Sequence, residues 1–452
     1  MSHHSISRAS SVVLVAASAC WALSSSSRAQ NERPRPECDP GNGGITLPDG
    51  FCASVYADDL GHTRHLAVAA GGAVYVNSWS SQYTGMKNAP GGFVVGLRDD
   101  NGDGRADLVE RFGTVHREGK PGGGTGIAVH GDGLYVEVDG KIVRYRLGRG
   151  TLVPEGEPET ILSGLPADGD HPMHPFAIAP DGALFVNSGS ASNACQVKNR
   201  TLESPGRKPC PELPTRSGIW RYEANKTGQV FSPRERYATG NRNTVGLAIE
   251  PQQGALYASM HGRDQLSENW PKLYTEEQNN ELPAELFTRI EAGNDFGWPY
   301  CYYDAAQRKH VLAPEYGGDG GKARGECPAK DEPDVTFPAH WAPEGVAFYS
   351  GSAFPAEYRG GAFVSFHGSW NRAPRQSGFL VAFVPFANGR PNGRYREFAT
   401  GFAGAEPPAD PKEAPHRAMG IAVGPDGALY VSDDVKGRIW RIAYVGGGPA
   451  SE

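Results

Sequence analysis

The segment Asp170-His-Pro-Met-His174 runs directly into a short apolar stretch and a Pro-Asp-Gly turn. Imidazole exchanges protons near neutral pH, and a carboxylate beside it can hold the ring in one tautomer. His171, with Asp170 before it, therefore has the make-up of a general base, and His174 that of a wall residue against the strand. A second segment, Gly240-Asn-Arg-Asn-Thr-Val-Gly246, sets Arg242 and Asn243 at the same place before an apolar run, and His416-Arg417 repeats the arrangement. Arg64 and Glu344 stand two positions before comparable runs. Guanidinium and amide N–H groups stabilise negative charge developing on an oxygen.

A different chemistry is written in Asp99-Asp-Asn-Gly-Asp-Gly-Arg-Ala-Asp-Leu-Val-Glu110. Asp99, Asn101 and Asp103 fill positions 1, 3 and 5 of a twelve-residue calcium loop, with Gly104 at the turn, Arg105 offering its carbonyl at 7, Asp107 at 9 and Glu110 at 12. The flanks, 93–97 and 109–112, read as strands and not as the helices of an EF-hand. The expectation is a structural calcium on a hairpin; the alternative is a solvated acidic turn.

The elements that position these groups come from an internal repeat. An apolar strand, a Gly-containing turn and a second apolar strand recur at 66–76, 127–136, 176–186, 247–257, 346–364 and 421–431. A third strand follows each copy, and a fourth, outer strand precedes the next, as at 235–238 and 396–399. Four antiparallel strands repeated six times predict an all-β, six-bladed β-propeller, closed by the strand 51–57 joining the last blade. Residues just before each first strand then crowd around one mouth of the central channel. So many cations gathered there repel one another unless an anionic ligand lies between them, or unless they pair with Asp170, Glu344 or Asp433.

The bulk composition narrows the classes. The chain has 452 residues, 44 Lys and Arg against 51 Asp and Glu, and no basic stripe, which argues against nucleic acid. Sixty Gly and 36 Pro, scattered through the chain, suit short strands joined by turns. Arg8, the apolar run 12–23 and Ser27-Arg-Ala29 read as a signal peptide over 1–29, with a run too short to span a membrane. Ala17-Ser-Ala-Cys20 would make an imperfect lipoprotein box, the lesser option. Six further cysteines in an exported, periplasmic or secreted chain suggest disulfides, and nearest neighbours along the chain pair as 38–52, 195–210 and 301–327. No Cys-x-x-Cys-His is present to carry a covalent haem.

The motifs 240–246, Phe296-Gly-Trp-Pro-Tyr300, Tyr358-Arg-Gly-Gly-Ala-Phe-Val364 and His367-Gly-Ser-Trp-Asn-Arg372 resemble the glucose/sorbosone dehydrogenase family, and within it the L-sorbosone dehydrogenase-like branch of pyrroloquinoline quinone (PQQ) sugar dehydrogenases. The resemblance runs from about residue 47 to 444. It implies a six-bladed propeller that oxidises an aldose or sugar aldehyde by hydride transfer to PQQ, a tricarboxylate lying in the channel mouth. By the same match His171 is the base that takes the substrate's hydroxyl proton, and Asp170 helps to place the sugar. Arg242 and Asn243 bond the reacting quinone carbonyl, and Arg417 pairs with a PQQ carboxylate. Gly262 and Arg263, in Met-His-Gly-Arg-Asp, match the turn whose carbonyls hold a calcium ion against PQQ. The family's cofactor-binding lysine has no clear counterpart, with Arg372 or His367 nearest to it, and Arg64 joins the cofactor-facing cations. Met419 stands where glucose enzymes carry a second arginine, and His174 where sorbosone-type relatives carry Arg.

The implied domain plan is a signal peptide at 1–29, an N-terminal segment at 30–46, the catalytic propeller at 47–446 and a tail at 447–452. The implied partners are a small sugar and a separate electron acceptor, a cytochrome or quinone carrier. Two rival classes stay open: a metal-dependent lactonase using Glu137, Asn187, Glu344 and Asp433, and a non-catalytic sugar- or partner-binding propeller.

Overall fold

Each copy of the repeated phrase folds as two antiparallel strands because its apolar residues alternate about a tight turn. At 180–182 the turn closes when Gly182, at φ 92°, donates its N–H to Ala179 O at 2.9 Å. In the computed structural model, which describes Met1 and residues 37–79, 91–113, 123–148 and 150–446, these pairs become the inner halves of six four-stranded antiparallel blades, the second extended by a short parallel strand, Gln229–Val230. The segment read from sequence as a signal peptide, 1–29 (beyond Met1), residues 30–36 and the segment 447–452 lie outside the described residues. The innermost strands are Thr63–Val68, Ile127–His130, Phe176–Ile178, Asn243–Ile249, Pro343–Phe348 and Ala418–Val423. The strand Phe51–Ala57 pairs with Ile439–Tyr444 as the outer strand of the sixth blade, so the ring is fastened by its N-terminal strand as the repeat predicts.

Adjacent blades are locked by one polar side chain from each second strand. Asn77 Nδ2 donates to Gly126 O at 2.9 Å, and Glu137 accepts from the N–H groups of Thr125, Gly126 and His174. Asn187 Oδ1 accepts from Thr244 N, and Ser259, Ser365 and Ser432 donate to the carbonyls of Pro343, Met419 and Arg64. The ladder is bulged where four of the innermost strands begin, at 63–66, 244–247, 343–345 and 418–421, which frees the backbone groups these side chains meet. The strands approach closely there: a Cβ on Gly420 would lie 2.6 Å from Arg64 O and 2.7 Å from the Cα of His65. Between blades lie apolar layers; Phe51, Phe354, Tyr358, Phe363 and Phe398 pack edge-to-face where the fifth and sixth meet.

Three long segments leave the ends of second strands on the side where the innermost strands begin, at 189–217, 262–284 and 368–378. The first is tied by Cys195–Cys210. Cys301–Cys327 ties the hairpin Cys301–Asp304/Lys309–Leu312, and Cys38–Cys52 staples the N-terminal segment to the closing strand. All three expected pairings are present. The hairpin expected around 99–110 is also there, flanked by the strands Val94–Arg98 and Leu108–Phe112.

Candidate functional site

His171 reaches the mouth on the segment entering the third blade. Its Nδ1 lies 2.9 Å from Ser190 O and 3.0 Å from Ser190 Oγ. A carbonyl only accepts, so Nδ1 carries the proton and Nε2 keeps its lone pair; among the described residues Nε2 has no hydrogen-bond partner. Ser190 is itself fixed, its N–H donating to Arg242 O at 2.7 Å. Burial, and then the charge of Arg242, hold the imidazole well below its ordinary pKa of 6.5. The orienting group is therefore a backbone carbonyl. Asp170, expected to play that part, instead accepts from Arg200 Nε at 3.0 Å and from Asn199.

Two buried carboxylates organise the remaining cations. Asp264 accepts from Arg242 Nη2 at 2.7 Å, Arg200 Nη2 at 3.1 Å and Asn371 Nδ2 at 3.3 Å. Burial would raise its pKa, but Arg242 and Arg200 hold it below the usual carboxylate range. Asp434 takes Arg64 Nη1 at 2.7 Å and His367 Nε2 at 2.8 Å, with His62 Nε2 at 3.4 Å. His367 then presents Nδ1 to Arg417 Nη1 at 3.1 Å, so one carboxylate sets two arginines. Glu344 bridges the groups at 3.7 Å from Arg64 and 3.8 Å from His261, and its Oε2 is buried without a hydrogen bond. Mutual pairing thus accounts for much of the cationic crowding, chiefly through Asp264 and Asp434.

Several expected roles change. Arg372 donates to Asn280 O, to Ala339 O at 3.0 Å and to Glu281 at 2.9 Å, so its guanidinium is engaged in anchoring its own loop. Gly262 O accepts from Arg242 Nη1 at 2.7 Å, and the Arg263 side chain is buried on Glu315. A calcium ion at that turn would share its carbonyl with a guanidinium. Glu137 and Asn187 are spent on the interblade locks. Asp433 accepts from the backbone N–H of Arg417 and from His416 Nδ1, so these groups do not converge with Glu344 on a metal. His174 is fully buried, between Asn187 O and Pro166 O, as a wall residue should be. On the acidic hairpin Asp99 accepts from the N–H groups of Gly102 and Gly104, Asp103 from that of Arg105, and Asp107 from those of Asp100 and Asn101. Arg105 turns back to Asp39 and Val55 O.

Ser190, Arg200, Asp264 and Asp434 escaped the sequence reading, as did His340, whose Nδ1 lies 3.9 Å from Asp264 Oδ1. Asp434 directly follows a second strand, and reading forward from each second strand, as well as back from each first, would have found it.

The mouth keeps unused capacity. Arg64 Nη2 and Asn243 Nδ2 make no hydrogen bond among the described residues, and His171 Nε2 is bare. Donors beside a bare imidazole suit an acceptor-rich anion and a hydroxyl about to lose its proton.

The fold is a six-bladed propeller whose mouth gathers His171, Arg64, Arg242, Asn243 and Arg417. A profile of the TrAA12-like family matches residues 45–445, and the chain belongs to that family. The fold is similar to an iodide structure of a Trichoderma reesei carbohydrate-active enzyme of family AA12, at a TM-score of 0.69 and 17% identity over 91% of this chain and 100% of that one. It is similar to the holo form of the PQQ domain of pyranose dehydrogenase from Coprinopsis cinerea (TM-score 0.67, 18% identity, 91% and 98% covered). It is also similar to the PQQ-bound aldose sugar dehydrogenase of Streptomyces coelicolor (0.53, 18%, 88% and 99%). An uncharacterized protein of Borreliella burgdorferi is 27% identical over 282 residues, 60% of this chain; the match spans 64% of that protein's length.

Proposed function

We infer that the chain is a PQQ-dependent oxidoreductase acting on an aldose or sugar aldehyde, exported to an oxidising compartment. The observation carrying this reading is His171, with Nδ1 fixed by Ser190 and Nε2 without a hydrogen-bond partner among the described residues, in the field of the Arg242 charge. PQQ, when bound, supplies the hydride acceptor. The rest is the work of the chain. His171 Nε2 takes the proton of the substrate hydroxyl; Arg242 and Asn243 offer donors to the oxygen on which charge develops; Arg64 and Arg417 offer guanidinium groups to carboxylates. Membership of the TrAA12-like family and the likeness to PQQ-bound propellers support the cofactor; the three disulfides support export. The lactonase alternative loses its support because Glu137 and Asn187 are engaged in the interblade locks.

Reconstitution tests the reading. The mature chain is mixed with PQQ, with and without calcium, and dye reduction is followed over a panel of aldoses and sugar aldehydes. Turnover that needs PQQ is expected; no PQQ binding and no turnover would end the proposal.

The hairpin 99–110 is the place proposed for a structural calcium. It also joins blade one to the closing strand, through Ser54 Oγ donating to Gly104 O and Ala106 N to Tyr56 O. Binding there stabilises the ring's closure. Calcium at a hundredfold excess over its Kd should raise Tm by about 3 °C. Asp103→Asn should abolish the rise, and an unmoved wild-type Tm would remove calcium from this loop.

A further inference from the structure

Trp370 is 47% exposed, an unusual state for the largest apolar side chain, and it stands at the mouth. Its neighbours in sequence face the two charge clusters: Ser369 O accepts from Arg417 Nη2 at 3.4 Å, and Asn371 Nδ2 donates to Asp264 at 3.3 Å. The guanidinium carbon of Arg200 lies 5.8 Å from the indole centroid. That same Arg200 bridges Asp170 and Asp264, the carboxylates that flank the His171 side of the mouth. The indole N–H has no partner among the described residues.

The loop presenting the ring is held by its own hydrogen bonds. Ser369 Oγ donates to Gln376 Oε1 at 2.7 Å, Gln376 Nε2 donates to Arg372 O at 2.7 Å, and Arg372 is anchored on Asn280 O and Glu281. A rigid aromatic surface costs little conformational entropy when a ligand meets it. Nothing in the packing requires the indole to face solvent.

We propose that Trp370 is the platform on which the sugar ring of the substrate rests, with Arg200 and Asp170 bonding its hydroxyls. A pyranose has one face of C–H groups and an edge of hydroxyls. An exposed indole beside a guanidinium–carboxylate pair meets both within one ring's width. The inference rests on the oxidoreductase reading for the chemistry, but the platform can be tested by binding alone.

The experiment compares wild type, Trp370→Phe and Trp370→Ala as PQQ-loaded chains. The readouts are KM and kcat for aldopyranoses and for glyceraldehyde, which has no ring face, and pyranose binding by saturation-transfer NMR. The alanine variant should raise the ratio of pyranose KM to glyceraldehyde KM by about tenfold, weaken the NMR transfer and keep kcat within threefold; phenylalanine should restore most of the ratio. An unchanged ratio and unchanged binding overturn the proposal. So does an unchanged ratio with slower reduction of a protein acceptor, which would make Trp370 a docking residue. If wild type turns over no sugar, the oxidoreductase reading fails and the NMR decides: pyranose binding weakened in the alanine variant upholds the platform, and absent or equal binding overturns it.

Discussion

Replacing His171 by alanine lowers kcat/KM in the reconstituted enzyme by about 10²- to 10⁴-fold, the usual weight of a general base. PQQ binding should stay within a few-fold, because no cofactor-binding arginine depends on this ring. The pH profile carries the sharper test. A base works only while neutral, and burial together with Arg242 pushes the imidazole's pKa well below 6.5. The acid limb of kcat/KM should therefore lie well below 6.5, with activity level from there to neutrality. A limb centred at 6.5 or above would contradict the buried environment. The same shift bears on stability. The unfolded chain takes up a proton near 6.5 that folded His171 refuses, so its contribution is present above 6.5 and is lost as pH falls through the lower, folded value. His65 and His174, both held at about 4 by burial, act in the same direction.

The propeller was legible because one phrase, strand–turn–strand, is repeated with enough fidelity to count blades, and because the closing strand 51–57 precedes the first copy. The disulfides and the places of His171, Arg242 and Asn243 at the mouth were legible too, since each sits at a fixed offset from a strand or from another cysteine. What stayed hidden were groups whose meaning is set by what crosses the channel. Asp434 lies 370 residues from Arg64 in the chain and 2.7 Å from it in space. Asp264 follows the very turn singled out for its carbonyls, yet its side chain proves to be the centre. Asp170 looked like the partner of His171 because it is adjacent; Arg200, from a disulfide-tied loop, claims it instead. Arg372 shows the converse: a cation in a family motif, spent on holding its own loop.

Asp434 is where the second large effect is expected. It is buried, and Arg64, His367 and His62 all turn to it. Asp434→Ala leaves Arg64 buried with Thr125 Oγ1 at 3.2 Å and, as its remaining carboxylate, Glu344 at 3.7 Å, and should cost about 3–5 kcal/mol. For a chain of this size that is a fall in Tm of about 3–6 °C, taking the usual unfolding entropy per residue. Cofactor affinity separates charge from position. The alanine variant also frees His367, removing one of the three hydrogen bonds that orient the Arg417 guanidinium, so PQQ should bind more weakly. Asp434→Asn keeps one acceptor oxygen, enough for Arg64 or for the His367 N–H but not for both, since the two sit on different carboxylate oxygens, while removing one negative charge from the mouth. Its stability loss should be smaller, and its affinity for a tricarboxylate equal to or above wild type. Weakening of PQQ binding to the same extent in both variants would mean that the carboxylate's charge, and not the arginines it positions, is what the cofactor needs.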